Sequence, residues 1–373
     1  MFRLSNLIKS TLQEQKSRTL DGSIIIWNMT NRCNLLCHHC YSKASANEKE
    51  SLSLEDILKT IPKLKIANIN FVIFSGGEPL LRKDIFEIAQ CMKDNKIMTY
   101  LSTNGTYITE KNAQKIIDTF NYIGISIDGI GEVHDYFRGQ KGSYDKSIEA
   151  IKTIQKKGGN AGIRFTITKE TESSFYDIFT LAEELNVNKI YISHLVYSGR
   201  GKENLEIDIS KEKRREYVNF MINKAFEYYE NGKDIDIVTG NMEMDAIMLL
   251  KEFEKKYPDF VNSLKNRLKS WGGNSAGKRL GNMDWNGFVK PDPFFPMTIG
   301  NYLEKDFDKI WLDDNNELLK KLREFPRNIK GKCSSCKYID ICNGGSRSRA
   351  YAISGDLWDE DPSCYLTLEE IKG

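Results

Sequence analysis

Between residues 20 and 232, short runs of β-branched and aromatic residues alternate with longer segments whose apolar positions recur every three or four residues. The short runs predict strands at 23–30 (SIIIWNMT), 70–77 (NFVIFSGG), 98–104 (MTYLSTN), 122–129 (YIGISIDG), 161–168 (AGIRFTIT) and 189–196 (KIYISHLV). The longer segments predict helices near 53–67, 82–95, 110–119, 144–157, 172–185 and 210–231. Alternation of this kind gives parallel strands joined by right-handed crossover helices, an α/β fold. Six such repeats are too few for a closed eightfold barrel, which leaves an open, partial (β/α)6 barrel or a doubly wound sheet. Either design puts ligands at the carboxyl ends of the strands. The unusual residues gather there: a Cys-rich loop after the first strand, SGGEP after the second, STNG after the third and SIDG after the fourth.

Past residue 232 the rhythm changes. A helical pattern at about 243–270 leads into a Gly-rich stretch, WGGNSAGKRLGNMDWNGFVKPDPFF, and then a second Cys-rich segment. The expected division is an N-terminal extension (1–20), a core domain (21–235) and a smaller C-terminal domain (236–373).

At 373 residues the chain can hold both cores. A net charge of +2 gives no global reason to expect nucleic acid or an acidic membrane surface. No apolar run approaches the ~20 residues of a membrane helix, and the first residues lack a signal-peptide pattern. The expected location is the cytoplasm, where eight cysteines favour metal ligation or catalysis over disulfides. Cys91, inside a helical pattern, reads as an ordinary packed thiol.

The other seven cysteines fall into two groups. Cys33, Cys37 and Cys40 share one short loop. Three thiolates can hold three irons of a four-iron cluster and leave the fourth open to a ligand, whereas a cluster used only for electron transfer has every iron ligated by protein. The competing reading is a zinc knuckle that borrows His38 or His39. Cys333, Cys336, Cys342 and Cys364 make a second set, which fits either a zinc ribbon or a fully ligated cluster.

Cys-x3-Cys-x2-Cys after a first strand, with GGEP after the second, resembles the radical S-adenosylmethionine (radical SAM) enzymes. The resemblance implies a 4Fe-4S cluster on Cys33, Cys37 and Cys40 whose open iron is chelated by S-adenosylmethionine, and an electron donor such as flavodoxin or ferredoxin. Reductive cleavage would then yield a 5′-deoxyadenosyl radical. The protein's task is to hold the cofactor in line with the substrate and to exclude water and oxygen. The resemblance also implies cofactor contacts from Gly76, Gly77, Glu78 and Pro79, ribose contacts from Ser102, Asn104, Ser126 and Asp128, a carboxylate contact from Arg164, and His39 against the adenine. The tail resembles the SPASM auxiliary-cluster extension. Full SPASM domains carry more cysteines, so the four here imply one auxiliary 4Fe-4S cluster.

HLVYSGRG, VTGNMEMDA, the Gly-rich stretch and CSSCKYIDICNGGSRSRA resemble, in order, the radical SAM enzymes of alternative haem and haem d-one synthesis. That resemblance implies removal or modification of acetate or propionate side chains on a sirohaem-derived tetrapyrrole such as didecarboxysirohaem. Two departures stand out: Met242, Glu243 and Met244 follow TGN, and Lys290 precedes Pro-Asp, where the group usually has histidine. His194 remains as a catalytic candidate. Arg200, Lys278, Arg279, Lys290, Arg347 and Arg349 are candidates for binding the tetrapyrrole carboxylates. The alternatives are a maturase of a ribosomal peptide and a non-catalytic metal scaffold. Only about twenty residues precede the first strand, short of the recognition domain such maturases commonly carry. The scaffold would leave GGEP without a purpose.

Overall fold

The structure, a computed structural model, describes residues 1–15 and 22–372. Residues 16–20 of the expected N-terminal extension and the first residue of the expected core lie outside the described residues. A strand β1 (Phe2–Arg3) and helix α1 (Leu4–Leu12) come first. The repeating part follows: β2 (Ser23–Thr30), α2 (Leu54–Ile66), β3 (Ile69–Gly76), α3 (Ile85–Asp94), β4 (Met98–Thr103) and α4 (Ala113–Thr119). It continues through β5 (Tyr122–Ser126), α5 (Glu132–Arg138), α6 (Ser143–Lys156), β6 (Ala161–Ile167), α7 (Asp177–Glu184) and β7 (Lys189–His194). After the short α8 (Arg200–Glu203) come the long α9 (Lys211–Glu230) and β8 (Asp236–Gly240).

These strands belong to one 11-stranded sheet in the order β1-β8-β7-β6-β5-β4-β3-β2-β9-β10-β11, where β9 is Leu280–Met283, β10 Phe288–Lys290 and β11 Gly300–Asn301. Strands β2 to β8 run parallel in sequential order, the open barrel that the strand–helix alternation implies. All six predicted strands are present. The sheet adds β8, which begins at residue 236, just past the expected division, and pairs with β7. It also adds β9, parallel to β2. The 243–270 segment is two helices, α10 (Asp245–Lys256) and α11 (Val261–Trp271). Pro258 separates them, having no amide hydrogen to continue the first helix.

Alternation along the strands separates two faces. Ile123, Ile125, Ile163, Phe165, Ile190 and Ile192 point to the helices and are buried. Each such side chain stabilises by about 1.5–3 kcal/mol. The opposite face lines the barrel: Ser102 is in register with Gly124, and Ser126 with Arg164, which pairs in turn with Tyr191. The rings of Phe71, Tyr100 and Tyr122 pack in succession across this interior, the first pair tilted and the second edge to face, with centroids 6.1 Å apart in each. A side chain at Gly162 would lie 2.1 Å from the Tyr122 hydroxyl, so glycine there makes room for the ring. No helix among the described residues is long and apolar enough to cross a membrane.

Candidate functional site

The Cys loop leaves β2 at the carboxyl edge of the barrel and is clasped from three sides. From β3, Gly77 N–H donates to Thr30 O (2.8 Å) and Glu78 N–H to Arg32 O (2.7 Å). A Cβ at Gly77 would sit 2.0 Å from Arg32 O. The close approach that GGEP glycines permit is therefore made, in part, by the loop itself. From the end of α5, Arg138 O and Phe137 O accept from Leu36 N and His38 N. From α8, Arg200 donates through its backbone to Cys40 O and through its side chain to Cys37 O and Ala44 O.

Inside this clasp Cys33, Cys37 and Cys40 pack with Leu35 and Ala44 in a small apolar cluster. Cys33 Sγ accepts from Leu35 N at 3.4 Å, and Cys37 Sγ from Arg138 at 3.6 Å. Burial pushes the Cys33 thiol up to about 12 and raises Cys37 as well, and the neighbouring thiols add to both shifts. Two buried thiolates beside a third, half-buried cysteine are unfavourable without positive charge among them, which bound iron would supply. Among the described residues no three His, Cys, Asp or Glu side chains converge as ligands of a single metal ion do. A cluster does not need such convergence, because each cysteine reaches a different iron. The donor set thus fits the group.

The expected cofactor residues divide. Gly76, Gly77 and Pro79 lie at the loop junction, and Ser102, Ser126 and Arg164 face the interior. The Arg164 guanidinium lies 4.5 Å from the Tyr191 ring centre. His39 stacks on Phe137, centroids 4.7 Å apart and 3° from parallel. Burial pushes its imidazole down to about 4, leaving a neutral ring. Glu78 is fully buried, accepting from Leu80 N (3.0 Å), Thr103 Oγ1 (2.7 Å) and Asn104 N (2.8 Å). Its carboxylate ties β3 to β4. Asn104 in turn donates to Asn34 Oδ1 in the Cys loop (3.0 Å).

Asp128 is fully buried as well, with its carboxylate against Arg138 and the Thr166 N–H (2.6 Å). It orients Arg138 toward Cys37, and no oxygen reaches the surface for a ribose. Arg138 and Arg200 carry no motif in the sequence that marks them as cluster-loop residues. Only chain folding brings 138 and 200 to residue 37, and the one local signal is the glycine beside each.

His194 is the last residue of β7 and pairs with Ile167, on the helix-facing side, while its neighbour Ser193 shares the interior face with Thr166. It is buried between Arg214 of α9 (3.1 Å) and Asp245 of α10 (3.4 Å). Of the cationic candidates, Arg347 and Arg349 are corrected most plainly: both are fully buried. Arg347 donates to the carbonyls of Leu357, Asp359, Gly344 and Gly345, and Arg349 is paired with Asp361. Neither is free for a substrate carboxylate. Arg279 caps the end of α11 through Ser270 O and Trp271 O, Lys290 pairs with Asp284 (3.3 Å), and Lys278 is exposed beside Phe325.

Cys333, Cys336, Cys342 and Cys364 line one cavity with Lys332, Asp361 and Met244. Burial pushes Cys333 up to about 12 and Cys342 well above its ordinary value. All eight cysteines are unpaired.

A radical SAM superfamily domain matches residues 27–182. Pre-heme d1 synthase of Dinoroseobacter shibae is 36% identical in a match covering 99% of this chain and 93% of that protein. The chain belongs to the radical SAM superfamily. Fe-coproporphyrin III synthase of Methanosarcina barkeri is 37% identical across 93% of this radical SAM chain and 89% of its own length. Among solved structures, Streptococcus suis SuiB bound to its precursor peptide SuiA superposes with a TM-score of 0.73, covering 92% of this chain and 76% of that one at 18% identity. At that identity the likeness of this radical SAM enzyme to SuiB is one of fold.

Proposed function

We propose that this enzyme removes or modifies acetate or propionate side chains of a sirohaem-derived tetrapyrrole, in haem d-one or alternative haem synthesis. The observation that carries the reading is the pair of near-full-length relatives named for haem synthesis, joined to a site built for a three-thiolate cluster. The bound cluster and S-adenosylmethionine supply one-electron sulfonium cleavage and hydrogen abstraction. The chain's own residues do the rest. Cys33, Cys37 and Cys40 hold the cluster, and Gly76, Gly77, Pro79, Ser102, Asn104, Ser126, Arg164 and His39 form the cofactor's surroundings. Arg138 and Arg200 fix the loop. The clasp and the aromatic barrel interior keep water from the reacting groups, which strengthens every polar contact inside.

The proposal extends to the tail: Cys333, Cys336, Cys342 and Cys364 ligate one auxiliary 4Fe-4S cluster in a C-terminal unit, 236–373, beside a core at 21–235. A flavodoxin or ferredoxin in the cytoplasm serves as electron donor, in keeping with eight unpaired thiols.

The test is anaerobic reconstitution with iron and sulfide, then reaction with didecarboxysirohaem, S-adenosylmethionine and a reductant, read by mass spectrometry. Loss of an acetate or propionate mass supports the reading. 5′-Deoxyadenosine formed over an unaltered tetrapyrrole sinks it and favours a peptide substrate.

A further inference from the structure

The two residues flanking Cys364 begin two polar arms that meet. On one side the Tyr365 hydroxyl donates to Asp245 Oδ1 (2.9 Å), whose Oδ2 faces His194 Nε2 at 3.4 Å. His194 Nδ1 lies 3.1 Å from an Arg214 amine, and Arg214 grips both oxygens of Asp208 at 2.9 and 2.8 Å. On the other side Tyr197 donates to Asp208 (2.6 Å) and lies 3.1 Å from the Ser363 hydroxyl. Ser363–Tyr197–Asp208–Arg214–His194–Asp245–Tyr365 is a ring of polar contacts over one cysteine, hydrogen-bonded at every step except His194–Asp245, which is an ion-pair approach at 3.4 Å.

Its directions follow from the donors. A guanidinium can only donate, so His194 Nδ1 accepts and the ring proton sits on Nε2, facing Asp245. Tyr197 already donates to Asp208, so Ser363 donates to Tyr197. Asp208 accepts from Arg214 and Tyr197, while Asp245 accepts from Tyr365 and has the His194 Nε2 proton at ion-pair distance. Arg214, His194, Asp245, Ser363 and Tyr365 are buried. Such a network is an inefficient source of stability, because apolar packing of equal volume does as well or better. What it provides is geometry: β7, α9 and α10 together dictate where residue 364 stands.

We propose that this ring is a positioning device for the auxiliary centre. It sets the Cys364 sulfur against the other three thiols, and His194 is its keystone, acting through Asp245 and Tyr365 and not on the substrate. The inference rests on the reading of the tail as a cluster site.

The test uses the full chain carrying Cys33→Ala, Cys37→Ala and Cys40→Ala, so that any bound cluster is the auxiliary one. After anaerobic reconstitution, iron per chain and the EPR spectrum of the reduced protein are measured. His194→Leu is expected to lose iron or shift the signal. His194→Gln, whose amide can accept from Arg214 and donate to Asp245, is expected to restore the parent spectrum. Tyr365→Phe removes one hydroxyl from the ring and is expected to shift the signal in the same direction; it decides the matter if His194→Leu does not fold by circular dichroism. Parent-like iron and spectra in both His194→Leu and Tyr365→Phe overturn the inference alone. A parent that takes up no iron overturns the auxiliary-cluster reading, and the inference with it.

Discussion

Arg349 and Asp361 form a two-point ion pair with no solvent exposure, Nε to Oδ1 at 2.9 Å and an η nitrogen to Oδ2 at 2.7 Å. The same guanidinium donates to Leu195 O (3.1 Å) and Asn241 O (2.5 Å), just beyond β7 and β8. One side chain therefore joins the barrel's carboxyl edge to the segment leading into Cys364.

Removing one partner leaves a buried charge uncompensated, which costs about 3–5 kcal/mol. Arg349→Met and Asp361→Asn should each lower stability by that order in anaerobic denaturant titrations. The double variant should lose less than the sum, and strict additivity would argue against the pair.

Gly77→Ala places a methyl 2.0 Å from Arg32 O, a backbone atom that cannot swing aside. Overpacking of this kind costs about 1–3 kcal/mol. The expected outcome is a lower melting temperature together with weaker S-adenosylmethionine binding by equilibrium dialysis. Unchanged binding would show that the clasp tolerates movement.

The two cysteine sets should separate by function. Cys33→Ala is expected to abolish reductive cleavage of S-adenosylmethionine, with loss of about four irons per chain. Cys342→Ala should lose a similar amount while still releasing 5′-deoxyadenosine from S-adenosylmethionine. Iron analysis and chromatography of the nucleoside distinguish them. Retention of all iron in Cys342→Ala would refute the second cluster.

His134 accepts from Asp128 N–H through Nδ1 (3.0 Å), so its proton sits on a buried Nε2 with no partner. Burial lowers its pKa from 6.5 to about 4. The unfolded chain then binds more protons than the folded one between those values, so this group's contribution falls as pH drops from about 6.5 to 4, by at most about 3 kcal/mol. Denaturant titrations of the apo chain should show this slope. His134→Gln, which can still accept from Asp128, should flatten it, and an equal slope in the variant would assign it elsewhere.

The parallel strands were legible because β2 to β7 are buried runs rich in isoleucine, valine and aromatic residues, with turn residues between them. β8 was not: DIVTG is five residues long and follows a long helix, and its partner β7 supplies the reason it is a strand. The two cysteine groups and GGEP were legible because spacing along a loop is local. The rigid stacking of His39 on Phe137 required α5, a seven-residue helix too short to announce itself.

The order of residues determined which chemistry the chain carries: three thiols on one loop, four in the tail and a partial barrel between them. These depend on short-range spacing and periodicity, which survive in a linear reading. Tertiary structure decided which polar groups remain available. A single step of strand parity turns His194 to the helices and leaves Ser193 inside. Burial commits Asp128, Glu78, Arg347 and Arg349 to partners that include residues ten or more positions away in sequence. The physical reason is the cost of an unpaired buried charge: once folding takes such a group from water, its partner must come from wherever the fold can supply one.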